Sequence, residues 1–201
     1  FVQDASKADL LVVLARREDA LVLCVVHSNV EGVKISRDHI HDLTRDQATV
    51  HFVDVRVGRD AIASVAGAET LQRAWPAMLV TVAADLCGCG EWQLQTTVSY
   101  AKDRKQFDRP LGFFQAVKHP LVNAMLAIDR AKSLVYHAAC CIDEGTDDAL
   151  DAARMAKSAA SDAGVFMSDR SVQLHGGIGF TWESDIHLFF KRSMHNQVLY
   201  G

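Results

Sequence analysis

Two short stretches hold the side chains best suited to chemistry. The first runs Arg104-Lys105-Gln106-Phe107-Asp108-Arg109-Pro110-Leu111-Gly112-Phe113-Phe114-Gln115 and puts three cations, two carboxamides and three aromatics into twelve residues. A guanidinium fork matches the geometry of a phosphate or carboxylate, and a carboxamide both donates and accepts toward a polar ligand. The plainer reading is a connection between helices whose Phe side chains plug the end of a bundle. The second stretch is Gln173-Leu174-His175-Gly176-Gly177-Ile178-Gly179-Phe180, with three glycines in four positions. Backbone of this kind bends and approaches a partner closely, and a row of free N–H groups receives an anion such as a pyrophosphate. It is not a dinucleotide fingerprint, because the spacing differs and no βαβ unit surrounds it. A helix C-cap followed by a tight turn uses the same glycines. Together the two stretches point to a nucleotide-like ligand at an end or edge of a helical bundle.

The elements that must position these stretches divide the chain in two. Residues 1–66 read as β. The apolar runs Leu10–Ala15 and Ala20–Val26, separated by Arg16-Arg17-Glu18-Asp19, fit two strands and a polar turn. The segment 49–57 alternates, with Val53, Val55 and Val57 on one face and Asp54 and Arg56 on the other, which predicts a further strand. After Gly67 the pattern turns helical. Residues 68–101 predict a first helix, with Pro76 in its first turn. Residues 112–144 place Leu121, Met125, Ile128, Ala131, Leu134, Val135 and Ala138 at helical spacing. Residues 147–171 do so with Ala152, Ala156, Ala159, Ala160, Ala163 and Phe166. Such alanine-rich faces let helices approach closely. A last helix is expected from about Ser184 to Tyr200. The predicted fold class is α+β, with a partial antiparallel β domain over 1–66 and an antiparallel four-helix bundle over 67–201.

The chain has 201 residues, 49% of them apolar and 23% charged, with a net charge of −4. This composition excludes a disordered or collagen-like chain and offers no electrostatic reason to expect nucleic acid as a partner. No apolar run is long enough to predict a membrane span. The five cysteines (Cys24, Cys87, Cys89, Cys140 and Cys141) lack zinc-knuckle spacing, and Cys87-Gly-Cys89 is too tight for a zinc loop. They read as free thiols in a reducing compartment, the cytoplasm or a mitochondrial matrix. No metal site is expected. His39 and His41 flank Ile40 as surface histidines. The chain opens on Phe1 inside a predicted strand, the expectation for the back part of a longer protein.

These motifs resemble the acyl-CoA dehydrogenase family. Tyr100-Ala101-Lys102-Asp103-Arg104-Lys105-Gln106-Phe107 through Pro110-Leu111 to Gln115 is similar to one family signature, and Gln173–Phe180 to a second. Phe1–Ala5, with Ala8-Asp9 and Leu14-Ala15-Arg16, resembles the flavin-facing strand of the middle β domain. Phe52–Val57 resembles its closing strand. The resemblance covers the chain in order and implies FAD as cofactor, an acyl-CoA thioester as substrate, a homologous subunit as partner and an electron-transferring flavoprotein as redox partner. It implies that Arg104 contacts the FAD pyrophosphate, that of a neighbouring subunit. Gln106, Phe107 and Gln115 would lie along the same FAD, while Gln173, Leu174, Gly176 and Gly177 approach its adenosine end. Phe1 and Gln3 would stand against the isoalloxazine. Gln3 departs from the small hydroxyl residue of the family.

Family chemistry removes a proton α to the thioester carbonyl as the β hydrogen leaves as hydride, and the proton needs a positioned carboxylate. Most members carry that Glu on the last helix just before a Gly. Here Tyr200 occupies the position, followed by Gly201, and both would line the substrate pocket. No Asp or Glu follows Asp185, so no shift of register restores one. A minority of members use the first helix near Met78, which cannot act as a base, and Glu69, Asp85 and Glu91 are displaced from that turn. A tyrosine, with a reference pKa of about 10, is a poor base at neutral pH. Four readings remain open: a non-catalytic subunit that shares flavin sites with a Glu-bearing partner, a flavin-dependent monooxygenase on the same scaffold, a base supplied by the expected N-terminal part, or a purely structural subunit.

Overall fold

The computed structural model describes residues 1–200; Gly201, assigned above to the substrate pocket, lies outside the described residues. The chain divides into two compact units, Phe1–Ala74 and Trp75–Gly201. The fold is α+β, with antiparallel sheets followed by a four-helix bundle.

The first unit holds two three-stranded sheets. In one, β1 (Val2–Gln3) and β4 (Val33–Arg37) flank β5 (Gln47–Phe52). In the other, β2 (Leu10–Arg17) and β6 (Ile62–Ser64) flank β3 (Ala20–His27). β2 and β3 form the hairpin predicted by their apolar runs, with Arg17 opposite Ala20 across the Glu18-Asp19 turn. Val22, Cys24 and Val26 of β3 alternate into a core, as one buried sheet face requires. β1 pairs with β5, Val2 opposite Ala48 and Gln3 opposite Gln47. The strand expected to continue through Val57 stops at Phe52. The Val53 N–H still donates to the Gly32 carbonyl at 2.9 Å, in register with β4, and Asp54 at φ +53 then turns the chain out of the ladder despite its alternation. β4 and β6 were not legible in the composition of their short segments.

The second unit is built on α1 (Gly67–Asp103), α2 (Gln115–Glu144), α3 (Ala149–His175) and α4 (Ile186–Val198). α1 starts at Gly67, so Pro76 lies in its interior and not in its first turn. A proline there withholds one N–H from the helical ladder, and the neighbouring turns carry the helix on. Ala152, Ala153, Ala156, Ala159, Ala160 and Ala163 of α3 are all buried beside Leu79, Leu86 and Ile128, the close approach that small residues permit. A polar ladder runs up the interface of α1 and α3. Ser168 Oγ donates to Gln93 Oε1 at 2.9 Å. The Thr97 hydroxyl donates to the Gln93 carbonyl at 2.6 Å, so its 2.9 Å contact with Ser171 Oγ has Ser171 as donor. One turn further, Tyr100 stacks on His175 with ring centroids 4.3 Å apart. Partners that climb both helices together make α1 and α3 parallel and set their ends in register. α4 ends at Val198, which leaves Tyr200 in the turn beyond the helix at φ +64, two residues past the end of the helix on which it was expected.

Candidate functional site

The polar ladder brings the two chemical stretches to one end of the bundle. Tyr100 lies one turn before Arg104, and His175 immediately precedes Gly176. Their stacked rings, with the Tyr100 hydroxyl 3.5 Å from the His175 carbonyl, tie the α1–α2 and α3–α4 connections together. Neither residue was singled out in the sequence. The signal was present only as a Tyr that opens the first motif and a His inside the second, neither with a role assigned. His175 is buried, and its Nδ1 lies 2.8 Å from the Ser171 carbonyl, an acceptor only, so Nδ1 carries the proton. Burial pulls the imidazole below its ordinary pKa, against the Ser171 hydrogen bond.

The α1–α2 connection is a small ribbon. β7 (Lys105–Gln106) pairs with β8 (Arg109–Pro110), and the two turn residues Phe107 and Asp108 sit at φ +54 and +59, as a tight hairpin demands. The Arg104 N–H donates to the Tyr100 carbonyl and its carbonyl accepts from Leu111 N–H, each at 2.8 Å. Its backbone is therefore held while its side chain is exposed, with no ion-pair partner among the described residues. Gln106 is exposed and donates to the Lys105 carbonyl at 2.9 Å. Phe107 is 86% exposed and meets Phe114 edge-on, while the Arg109 guanidinium lies 4.4 Å over the Phe113 ring. Gln115 is the exposed first residue of α2.

The glycine stretch caps α3. Gly176 takes φ +62, a conformation costly for residues with a Cβ, and its N–H bonds back to Gln173 and Val172. A Cβ built on Gly176 or on Gly177 meets open space, so the outer side of this loop is accessible to a ligand. Gln173 is exposed and Leu174 half-buried. Arg104, Gln106, Phe107, Gln115, Gln173, Gly176 and Gly177 thus lie on two exposed connections and the helix ends that flank them, joined at one bundle end.

Tyr200 belongs to the other end. Its ring meets Trp75 edge-on at 5.5 Å, and Trp75 precedes Tyr100 on α1 by 25 residues, about 37 Å of helix. Just before it, the buried Lys157 of α3 donates to the Gln197 carbonyl at 2.9 Å and to Ser161 Oγ at 3.2 Å. Burial lowers the pKa of that ammonium. The acids on α1 are engaged elsewhere. Asp85 receives two hydrogen bonds from Arg192, at 2.9 and 2.7 Å, and a third from Asn196. Glu91 pairs with Lys132 at 3.1 Å. Glu69 is exposed.

In the first unit, Phe1 is almost wholly exposed and Gln3 half-buried. Gln3 Nε2 donates to Gln47 Oε1 at 3.1 Å, Gln47 Nε2 to Asp38 Oδ2 at 3.2 Å, and Thr49 Oγ1 to Asp38 Oδ1 at 2.9 Å. That chain directs the Gln3 amide along the sheet. Beside it, the Ser6 hydroxyl foremost, and then Arg37, hold the Asp46 carboxyl below the usual range.

Residues 66–201 match the family profile of the acyl-CoA dehydrogenase C-terminal domain, well over half of the chain. The protein belongs to the acyl-CoA dehydrogenase family. It is 43% identical over 114 residues to acyl-CoA dehydrogenase IpdE2 of Mycobacterium tuberculosis, covering 57% of this chain and 34% of that protein. A variant of the Tcur3481–Tcur3483 steroid ACAD superposes with a TM-score of 0.82 at 30% identity, over 94% of this chain and 50% of the other. A chain from the structural work on the electron transferring flavoprotein of Acidaminococcus fermentans gives a TM-score of 0.94 at 26% identity, over 100% of this chain and 55% of that one. The chain thus spans about half the length, or less, of the relatives it matches.

Proposed function

We propose that the protein is a subunit of an FAD-dependent acyl-CoA dehydrogenase that contributes to a flavin site but lacks the catalytic base. The observation that carries this reading is Tyr200, which stands where the family's carboxylate is expected, with no acid after Asp185. Asp85 and Glu91 give no substitute: both Asp85 oxygens accept from Arg192, Asn196 adds a further bond, and Glu91 Oε2 pairs with Lys132, both acids lying away from the turn near Met78.

The residues present fit FAD at the Arg104 end. The Arg104 guanidinium would hold the pyrophosphate, Gln106 and Gln115 would hydrogen-bond along the cofactor, and Phe107 would pack on it. Gln173, Leu174 and the open backbone at Gly176 and Gly177 would receive the adenosine end. When bound, FAD supplies the acceptor for a hydride from the β carbon of an acyl-CoA thioester. Phe1 and Gln3 would stand against an isoalloxazine ring. With Tyr200 at the acyl pocket, this chain would shape the pocket without accepting the α proton. A homologous subunit in a hetero-oligomer would provide the carboxylate, as the paired name of the Tcur3481–Tcur3483 steroid ACAD invites. An electron-transferring flavoprotein would reoxidise the flavin. The five free thiols fit a reducing compartment such as the cytoplasm, and no helix among the described residues is long and apolar enough to cross a membrane.

The cofactor assignment is tested by flavin content. Arg104→Ala is expected to lower bound flavin in the assembled protein, read from the visible spectrum at equal protein concentration, with unchanged circular dichroism. Unaltered flavin content in every assembly would remove Arg104 from the site.

A further inference from the structure

The turn between α2 and α3 brings three different ligand types together. His137 and Cys141 stand four residues apart on one face of α2, and Asp148 precedes α3. One donor atom from each of the three lies within 4.8 Å of the other two. The Cys141 sulfur is 3.7 Å from His137 Nε2 and 3.9 Å from Nδ1. A tetrahedral zinc ion with bonds near 2.3 Å to sulfur and 2.0–2.1 Å to nitrogen separates those ligands by about 3.6 Å. The sulfur and the imidazole thus already stand close to coordination spacing. Cys141 is buried, while His137 and Asp148 are exposed, so the thiol forms the floor of a site open to solvent.

The turn itself holds this arrangement. Gly145 adopts the left-handed conformation at φ +67, and its N–H caps the Cys141 and Ile142 carbonyls. The Thr146 N–H donates to the Cys141 carbonyl at 3.0 Å, which folds the chain back over the end of α2. The Thr146 hydroxyl donates to Asp148 Oδ1 at 2.6 Å and orients the carboxylate. That carboxylate makes no capping hydrogen bond to α3, although it stands at the N-cap. Asp143, Glu144 and Asp147 add negative charge to the same twelve-residue segment. A thiolate and an imidazole beside one carboxylate select a borderline-soft transition ion over magnesium or calcium.

We propose that His137, Cys141 and Asp148 bind a single Zn2+-class ion, with the fourth position left to water, and that the ion staples the C-terminal end of α2 to the start of α3. Coordination replaces the thiol proton of Cys141, which passes to solvent, so uptake of the ion releases protons. The site lies at the Tyr200 end of the bundle and does not depend on the flavin reading.

Titration of the metal-free full-length protein with Co2+ tests this, since a thiolate-to-cobalt charge-transfer absorption reports sulfur ligation directly. The expected result is an absorption that saturates at one equivalent, disappears on addition of Zn2+ and persists in Cys140→Ser. Cys141→Ser should abolish it. His137→Gln and Asp148→Asn, both at exposed positions, should weaken Co2+ binding at least roughly tenfold, the effect of losing even an outer-shell partner. Zn2+ should raise the melting temperature of the parent protein and of Cys140→Ser, less that of His137→Gln and Asp148→Asn, and not that of Cys141→Ser. No charge-transfer absorption, or one abolished by Cys140→Ser and kept in Cys141→Ser, would overturn the site. If Cys141→Ser does not fold, undiminished Co2+ affinity in both His137→Gln and Asp148→Asn overturns it equally.

Discussion

His175 shows how one side chain serves a site it does not line. It is buried, donates from Nδ1 to Ser171 and stacks on Tyr100, so it fixes the spacing of the two loops from a position where burial favours the neutral ring. Its folded pKa lies below the ordinary value of 6.5 because burial penalises the imidazolium. The unfolded chain therefore binds the proton more readily below pH 6.5. The stabilisation from His175 is complete above that value and is lost as pH falls from it toward the folded pKa. Urea midpoints of the parent protein are expected to drop between pH 7.5 and pH 5.5, and those of His175→Gln to drop less over the same interval. Equal losses in both proteins would show that the proton enters elsewhere. Residue chemistry was partly legible in the sequence. Arg104, Gln106 and Phe107 announced themselves because their chemistry is concentrated in one short stretch. Tyr100 and His175 did not, since their pairing spans 75 positions and exists only once α1 and α3 lie side by side. The His137, Cys141 and Asp148 cluster was hidden for a related reason. It spreads over one helical turn, a glycine cap and an N-cap, with none of the Cys–Cys spacing that marks zinc loops.

At the scale of elements, α4 is held by polar contacts more than by apolar burial. Arg192 and Asn196 close on Asp85 of α1, Lys157 of α3 grips the Gln197 carbonyl, and the Trp92 and Phe189 rings stack at 3.9 Å. The Asp85–Arg192 pair has side chains 26% and 23% exposed, so part of the cost of losing one partner is screened by water. Asp85→Ala leaves a guanidinium and an amide facing a void and is expected to destabilise the bundle by roughly 2–3 kcal/mol. Urea denaturation at neutral pH reads the change, and a loss below about 0.5 kcal/mol would mean that the contacts are incidental. The helices themselves were legible from the spacing of their apolar residues. Their ends were less so. Pro76 looked like a start signal, yet α1 runs through it, and the last helix stops before Tyr200 because the chain there turns left-handed. The alternation of Val53, Val55 and Val57 misled for the opposite reason: a period of two predicts a strand only where a neighbouring strand is available to pair.

The whole molecule presents two separate chemical ends on one bundle. Arg104 and the glycine loop occupy one, and Tyr200 with the α2–α3 turn the other. Phe107, Phe180 and Trp182 are 86%, 69% and 77% exposed around the first, an apolar and cationic surface with no cover from this chain. A subunit that lends its Arg104 end to a neighbour's cofactor would expose such a surface, and its own Tyr200 end would then decide whether it turns over substrate. As proposed, this chain helps to bind flavin and leaves the α proton to a Glu-bearing partner. The direct measurement is anaerobic bleaching of the flavin absorption by acyl-CoA thioesters, made on the full-length protein alone and again after assembly with the homologous protein from a neighbouring gene that carries the family's Glu. The protein alone is expected to show no bleaching, and the assembly to bleach rapidly. Bleaching by the protein alone at the rate of the assembly would contradict the proposal.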